Sequence, residues 1–461
     1  MRAYQGPRPA HATLAALHNR ASHAQPLNVQ MSDLGPSPLA AGETSLSVAQ
    51  ARAAIAARLR PIDERETVPL AEALNRVLAA DVISPIDVPA HDNSAMDGYA
   101  LAGAALRADA AIELRSVATV MAGAPYGRVV GAGQCVRIMT GAVMPAGTDT
   151  VVPLELCRTD EHATGPRVHI EPGVIRAGEN LRRRGEDLAR GKPALPAGRV
   201  LKPADLGLVA SLGIDRLSVV RRLRVAVFST GDEIAALGQP LAPGCVYDSN
   251  RFSLMGALQR LGMEVIDLGL VRDDPLALQS ALQQAIDKAD AVLTSGGVSA
   301  GDADHTRDVL GRTGEVAFWK VAMRPGRPFA FGPVYAGDRA RPSKTTWLFA
   351  LPGNPVAALV TFYVFARDAL LALAGATPQP LPMLQARSTA AIRKRPGRTE
   401  FQRARVSPGP DGQWEVRTTG SQGAGILRSM SEANALLVLR HEQGSVAAGE
   451  PVDVWLFDGL V

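Results

Sequence analysis

From Arg222 onward, short apolar runs alternate with amphipathic stretches, and no other feature of the chain limits its fold as tightly. Arg224–Phe228 reads as a buried strand and Arg251–Leu261 as a helix closed by Gly262. Glu264–Leu268 is a strand, Pro275–Lys288 a helix and Ala291–Thr294 a strand. A helix over Asp304–Leu310, strands over Val316–Val321, Pro328–Phe331 and Trp347–Leu351, and a long closing helix over Pro355–Leu373 complete the series. Strands separated by helices predict a three-layer α/β domain with a mostly parallel sheet covered on both faces.

The remainder of the 461 residues surrounds that domain with β-rich satellites, in keeping with a prior of roughly three domains for this length. Residues 1–43 lack sustained apolar periodicity and read as a disordered tail. A helix follows, capped by Ser45 or Ser47, with Val48, Ala51, Ile55 and Leu59 on one face and Pro61 at its end. A second helical stretch over Leu70–Leu78 leads into an extended Asp81–Pro85. Segments 44–88 and 188–218 together are expected to form a linker domain, assigned to dimerisation only by the resemblance described below, the latter segment carrying a helix from Pro203 to Leu212 stopped by Gly213. Residues 89–187 change texture to short strands and turns, with Val117–Val120, Gln134–Met139 and Asp149–Val152 as strands. The α/β domain occupies 219–378, and five further strand patterns make 379–461 a C-terminal β-barrel-like domain.

Composition excludes several classes. Hydrophobic residues at 46% and charged residues at 20% allow a packed core and rule out disorder as the dominant state. The apolar run Val356–Ala366 is too short to cross a bilayer and meets Arg367-Asp368, so no membrane span is expected. The amino-terminal segment lacks the apolar region of a secretory signal, and three widely spaced cysteines provide neither a disulfide framework nor a zinc ribbon. A reducing, cytoplasmic location fits. Arginine heavily outnumbers lysine and aromatics are only 4%, a pattern that favours small oxyanions over nucleic acid.

In a parallel sheet, ligands bind beyond the carboxyl ends of the strands, so the residues after each strand are the place to look for chemistry. Ser229-Thr-Gly-Asp-Glu233, Gly269 with Asp273-Asp274, Ser295-Gly-Gly-Val-Ser-Ala-Gly-Asp302 with Asp304, Arg324-Pro-Gly-Arg-Pro328 and Pro352-Gly-Asn-Pro355 occupy those positions. Glycine, hydroxyl and free N–H groups at helix starts suit phosphate, and the carboxylates Asp232, Glu233, Asp273 and Asp304 suit a hard cation such as magnesium. Lys320, Arg324 and Arg327 supply balancing charge. Each element also has a plainer reading. Asp304 or Asp273-Asp274-Pro275 serves equally as a helix cap, Ser295-Gly296-Gly297 as a tight turn, and Arg324-Pro-Gly-Arg327 as a surface turn. Two polar strings, Asp92–Tyr99 and Gly178–Asp187, stand in the β-rich region. The histidines show no HxH or HExxH spacing, and the single G-x-S-x-G string at Gly297–Gly301 has only His441 as a distant triad partner.

Taken in order, nine strings resemble the molybdopterin molybdenumtransferase family, which is related to the E domain of gephyrin. They are Asp92–Ala100, Ile138–Ala142, Gly178–Asp187, Phe228–Glu233, Tyr247–Arg251, Thr294–Asp302, Phe318–Lys320, Arg324–Phe329 and Leu351–Pro355. The resemblance implies insertion of molybdate into adenylylated molybdopterin, dependent on Mg2+, with release of AMP and formation of molybdenum cofactor. It also implies a homodimer whose cleft joins the α/β domain of one subunit to the β-rich domain of the other. Asp97, Thr140, Asp187, Glu233, Asp273 and Asp304 become the catalytic set, and Glu233, Asp273 and Asp304 the magnesium ligands. Ser295, Gly296, Gly297 and Ser299 become nucleotide or phosphate contacts, Lys320, Arg324 and Arg327 anion contacts, and Pro352 and Pro355 shape the cleft. A molybdopterin adenylyltransferase and apo-molybdoenzymes are the implied partners; nucleic acid and membrane are not. Positions 324 and 327 often carry Lys in relatives and carry Arg here, and Ala424 stands where many relatives have Ser. Two other readings stay open: a non-catalytic scaffold, and an adenylyltransferase, whose family is usually a single small domain.

Overall fold

The alternation after Arg222 becomes a six-stranded sheet in a computed structural model that describes residues 45–163, 165–297, 305–337 and 342–459. The tail expected over 1–43 and the candidate residues Ser299 and Asp304 lie outside the described residues. The sheet strands are β1 (Arg224–Thr230), β2 (Glu264–Val271), β3 (Ala291–Ser295), β4 (Ala317–Lys320), β5 (Pro328–Ala336) and β6 (Lys344–Leu351). They stand in the order β2-β1-β3-β6-β5-β4. β2, β1, β3 and β6 are parallel, whereas β5 runs against both β6 and β4.

The reversal of β5 has a simple cause. Residues 321–327 and 337–343 are all that separate it from its neighbours, and a parallel crossover needs a dozen residues or more. Its amino end therefore joins the rim made by the carboxyl ends of the other five strands.

Alternate side chains fill the two faces. Val225, Val227, Leu293, Phe331 and Phe349 pack with Leu254 and Leu258 of helix Asn250–Arg260 and with the closing helix. Ala226, Phe228, Val292, Ala330 and Leu348 pack with Leu278, Leu282 and Ile286 of helix Pro275–Lys288 and with Leu310. Full burial of each large side chain is worth about 1.5–3 kcal/mol.

The closing helical run Pro355–Leu373 is longer than the apolar run that begins it. It opens with Pro355 at its first position, and the Thr361 hydroxyl donates to Ala357 O (2.7 Å) before a π-helical turn over Phe362–Ala366. At 19 residues it is long and apolar enough to cross a bilayer, yet 72% of its apolar window is buried in this core.

Helix Val48–Arg58 forms behind a capping box, Gln50 N–H donating to Ser47 Oγ and Ser47 N–H to Gln50 Oε1. Its buried Ala51 and Ile55 join the central core rather than the linker. The helix expected over Leu70–Leu78 is not there. A single 3₁₀ turn spans Leu70–Glu72, and Asn75 adopts φ 61°, which a helix cannot accommodate. The preceding Arg65–Pro69 pairs with Arg216–Val220, a partner about 150 residues away that local periodicity cannot reveal.

In the β-rich region, Thr150–Pro153, Gly98–Leu101, Gln134–Ile138, Ile112–Val120, Arg167–Ile170 and Cys157–Asp160 form one sheet in that order. At the C-terminus, Thr399–Pro408 pairs with both Trp414–Thr418 and Ala435–Leu439, which closes a five-strand barrel. The barrel is not detached. Phe401, Met430, Leu436 and Trp455 share the core of the α/β domain, and Met323–Arg324 adds a short parallel strand to the barrel.

Candidate functional site

The rim of the sheet gathers the sequence-predicted loops. After β1, Gly231 (φ 151°) lies beneath the Glu233 side chain, and a Cβ there would sit 2.6 Å from a Glu233 carboxylate oxygen. Glycine is what lets Glu233 fold back over the strand end. After β2, Asp274 caps helix Pro275–Lys288, its Oδ1 accepting from Leu276 N–H (3.0 Å) and Ala277 N–H (3.1 Å). Capping thus falls to Asp274, and the main-chain N–H of half-buried Asp273 donates to Asp232 Oδ1 (3.4 Å).

The chemistry of this donor set fits magnesium, which keeps several waters and takes one or two carboxylates together with substrate phosphates. Asp232, Glu233 and Asp273 provide hard oxygens on one edge. Among the described residues no group of three or more metal-ligating side chains forms, and Asp304 lies outside them.

After β3, Ser295 is buried, and its Oγ accepts from Asn250 Nδ2 at 2.6 Å. Gly296 (φ 100°) donates to Leu351 O (3.1 Å), and a Cβ on it would lie 2.3 Å from Thr230 O. Only glycine fits where three strand ends converge. Asn250 also donates to Gly353 O (2.7 Å), binding the Ser295–Gly297 turn to the Pro352–Pro355 turn.

One residue back from Ser249, buried Asp248 accepts from Ser229 Oγ (2.9 Å) and Arg251 Nε (2.7 Å), while Arg251 also pairs with Asp267 of β2. The segment Asp248–Arg251 therefore ties together four adjacent strands, β2 at mid-strand and β1, β3 and β6 near their carboxyl ends. Neither Asp248 nor Asn250 stands among the sequence-derived site residues, although both lie in the Tyr247–Arg251 string.

The other missed residue is Arg403. It is 0% exposed, the largest fully buried side chain described. Its guanidinium donates to Ser429 Oγ (2.9 Å) and to the carbonyls of Gln422 (3.2 Å), Ser421 (3.2 Å) and Gly423 (2.9 Å). No carboxylate pairs with it among the described residues. Burial, together with the nearby positive charge of Arg324, pushes its pKa down to about 10. Arg324 and Arg403 line one cavity of about 270 Å3, with Thr418, Gln422, Arg393 and Glu400 among its walls. Two fork-shaped cations without a full complement of negative charge suit an oxyanion. A charged residue sharing the face of buried Phe401 was the available signal in the strand pattern.

Lys320 and Arg327 are exposed near the same rim, but neither lines that cavity. The cavity does touch the phosphate side indirectly. Arg403 holds Gly423 O, and Ala424 O accepts from Val356 N–H (3.0 Å) just past Pro355.

The β-rich region brings its own strings together. Asn93–Ser94 pairs with Leu181–Arg182, and Ser94 exchanges main-chain bonds with Gly141 and Ala142. The exposed Asp97 Oδ1 accepts from Thr140 N–H (2.7 Å) and Thr140 Oγ1 (2.8 Å), and these two bonds hold its carboxyl below the usual range. Asp187 N–H donates to Val88 O (3.1 Å), and its exposed carboxylate has no hydrogen bond or ion pair among the described residues.

Comparison with known proteins follows this division. The MoeA N-terminal region (domains I and II) matches residues 46–213, a probable molybdopterin binding domain matches 226–372, and the MoeA C-terminal region (domain IV) matches 385–457. A molybdopterin molybdenumtransferase of Haemophilus influenzae is 40% identical over 417 residues, covering 90% of this chain and 100% of that protein. Molybdopterin molybdenumtransferase 2 of Mycobacterium tuberculosis is 37% identical over 412 residues, covering 86% and 95%. The crystal structure of a molybdopterin biosynthesis moeA protein from Pyrococcus horikoshii superposes with a TM-score of 0.74 at 26% identity, covering 90% of this chain and 100% of that one.

Proposed function

The chain belongs to the MoeA family of molybdopterin molybdenumtransferases, enzymes of molybdenum cofactor biosynthesis, and from that premise we propose that it inserts molybdate into adenylylated molybdopterin and releases AMP. The observation that carries the finer reading is buried Arg403 without a counter-carboxylate, beside Arg324 at the junction of rim and barrel. Molybdate is a tetrahedral dianion; the exposed Arg324 fork holds its oxygens, and Arg403, whose own fork is spent on Ser429 and three carbonyls, adds positive charge behind it.

The chain's own residues divide the remaining work. The glycines of Ser295–Gly297 let a phosphate approach without side-chain obstruction, as nucleotide-binding turns do. Asn250 keeps that turn in register with Pro352–Pro355, so the phosphate and oxyanion ends of the cleft stay a fixed distance apart. One or two of the carboxylates Asp232, Glu233 and Asp273 would hold magnesium, with water and the substrate phosphates filling its shell, and the ion would supply charge neutralisation on the phosphates being separated. Asp97, held ionised by Thr140, and the unpaired Asp187 would face this rim from the second subunit of a homodimer. There they position the sulfur end of the pterin and accept protons from it.

The test is AMP release from adenylylated molybdopterin by the purified protein, with molybdate and magnesium each added or withheld. Release that requires both, and is lost in Asp187→Ala and Glu233→Ala, is expected. Absence of AMP under every condition would overturn the reading and bring the scaffold alternative forward.

A further inference from the structure

A second cavity, of about 810 Å3, opens beside the Arg324–Arg403 pocket and shares Arg324, Arg393 and Glu400 with it. Its walls carry five cations, Arg324, Arg393, Lys394, Arg395 and Arg398, against one carboxylate, Glu400. That carboxylate is already engaged by Arg398 (2.8 and 2.9 Å). Arg324, Arg393 and Arg395 make no ion pair among the described residues, and all three are exposed.

The turn that carries the charges is held firmly by main-chain atoms. Ile392 and Val446 exchange hydrogen bonds (2.8 and 2.9 Å), Gly397 N–H donates to His441 O (2.9 Å), and Lys394 N–H donates to Ser445 Oγ (3.2 Å). Lys394 is 6% exposed, and its ammonium is taken up by the carbonyls of Arg395, His441 and Gln443. It fixes the turn and adds charge without reaching outward.

Like charges crowded on a rigid turn raise its energy unless an anion relieves them. A merely solvated surface would interleave carboxylates, and here the only one is spent. The concave shape, continuous with buried Arg403, suits a small anion rather than a protein face. No aromatic side chain lines this second cavity, so the stacking that single-stranded nucleic acid needs is missing.

We propose that the turn Arg393–Arg398 is a collecting mouth that draws small dianionic oxyanions toward the Arg324–Arg403 pocket; this rests on the oxyanion-insertion reading above. A positively charged cleft with low-dielectric walls focuses field lines and raises the capture rate of an anion by about 10- to 1,000-fold over an uncharged one, and salt screens the effect. Arg395 is the cleanest probe, since it lines the mouth and not the inner pocket.

The experiment compares the full-length protein with Arg395→Glu and Arg395→Lys, using inorganic molybdate as the probe. Initial rates are taken against molybdate at several ionic strengths, and molybdate binding is measured by calorimetry in parallel. In Arg395→Glu, kcat/KM for molybdate is expected to fall about three- to tenfold at low salt, with kcat unchanged and a flatter salt dependence. Arg395→Lys, which keeps the charge and loses the fork, should restore both. Unchanged kcat/KM and salt slope, or a fall in kcat that Arg395→Lys does not repair, would overturn the proposal. Unchanged molybdate kinetics with impaired delivery to an acidic acceptor protein would also overturn it, in favour of a docking surface. If the wild-type protein turns over no substrate, the insertion reading fails by itself. Calorimetry then still reads the mouth through the salt dependence of molybdate binding.

Discussion

Replacing Asn250 by alanine tests whether one buried amide holds the rim together. The side chain is 9% exposed and donates to Ser295 Oγ at 2.6 Å and Gly353 O at 2.7 Å. Each such bond contributes about 1 kcal/mol net, and leaving a buried partner unsatisfied costs about 1–3 kcal/mol. Here the partners can adjust in part. The Ser295 hydroxyl can rotate, and Gly353 is exposed enough for water to replace the lost donor. The expected loss in Asn250→Ala is therefore about 2 kcal/mol, the lower end of the roughly 2–6 kcal/mol that two unsatisfied partners would cost. For a domain of this size that is a fall in Tm of roughly 4–8 °C.

Global unfolding of a multidomain chain is not two-state, so a local probe is needed as well. The Gly296 amide, bonded to Leu351 O, reports directly on the turn that Asn250 supports. Its hydrogen exchange should accelerate in the variant, and AMP release should slow more than nucleotide affinity weakens. Asn250→Asp keeps the shape and reverses the Ser295 bond, accepting from a rotated hydroxyl, but points a carboxylate at the Gly353 carbonyl, so it should be at least as harmful as alanine. Unchanged Gly296 exchange and unchanged Tm in Asn250→Ala would refute the reasoning.

Arg403→Met should abolish molybdate binding and loosen segment 421–423, seen as faster amide exchange there; Arg403→Lys should fail to rescue, because an ammonium cannot reproduce four bonds from a planar fork. Thr140→Val should raise the Asp97 pKa only part of the way to its ordinary 3.8, since the Thr140 N–H is the larger cause and remains; a carboxyl NMR titration reads the shift, and no change would refute the assignment. Because that pKa is depressed, whatever Asp97 adds to stability is complete above about 3.8 and is lost as pH falls through the lower folded value. Burial pushes the Cys157 thiol up to about 11, so its alkylation at pH 8 should run about a hundredfold slower than that of a free thiol, and a normal rate would refute the burial.

How much of this is legible in the sequence depends on how local the cause is. Helices Val48–Arg58 and Pro275–Lys288 are readable because their caps lie within a few residues, Ser47 with Gln50 and Asp274 before Pro275. The stretch Leu70–Leu78 has a helical apolar spacing, yet strand pairing with Arg216–Val220 and the left-handed Asn75 decide its course. The antiparallel β5 is legible only once connection length is weighed against strand order. Site residues follow the same rule. Gly296 announces itself because backbone crowding demands glycine there, and Gly231 because its φ of 151° and the folded-back Glu233 side chain favour it. Arg403 looks like any charged residue in a strand, and only the return of segment 421–429 over it, a contact local periodicity does not reveal, turns it into a buried cation.

That docking explains why the oxyanion pocket sits where it does. Arg324 belongs to two domains at once, emerging from the β4–β5 connection while its main chain runs in strand register with Glu400 of the barrel. Arg403 emerges from the same barrel strand as Phe401, which packs into the central core beside Trp455, Met430 and Leu436. Burial of four such side chains, at about 1.5–3 kcal/mol each, is comparable with the whole stability of a typical domain, about 5–15 kcal/mol. A barrel held by that much apolar contact cannot drift, so two like-charged forks can be kept adjacent at a cost the core absorbs. Separate domains joined by a polar interface would move apart and relax the repulsion. The shared core is thus what lets the pocket hold its positive charge poised for an anion, and it makes the barrel part of the site.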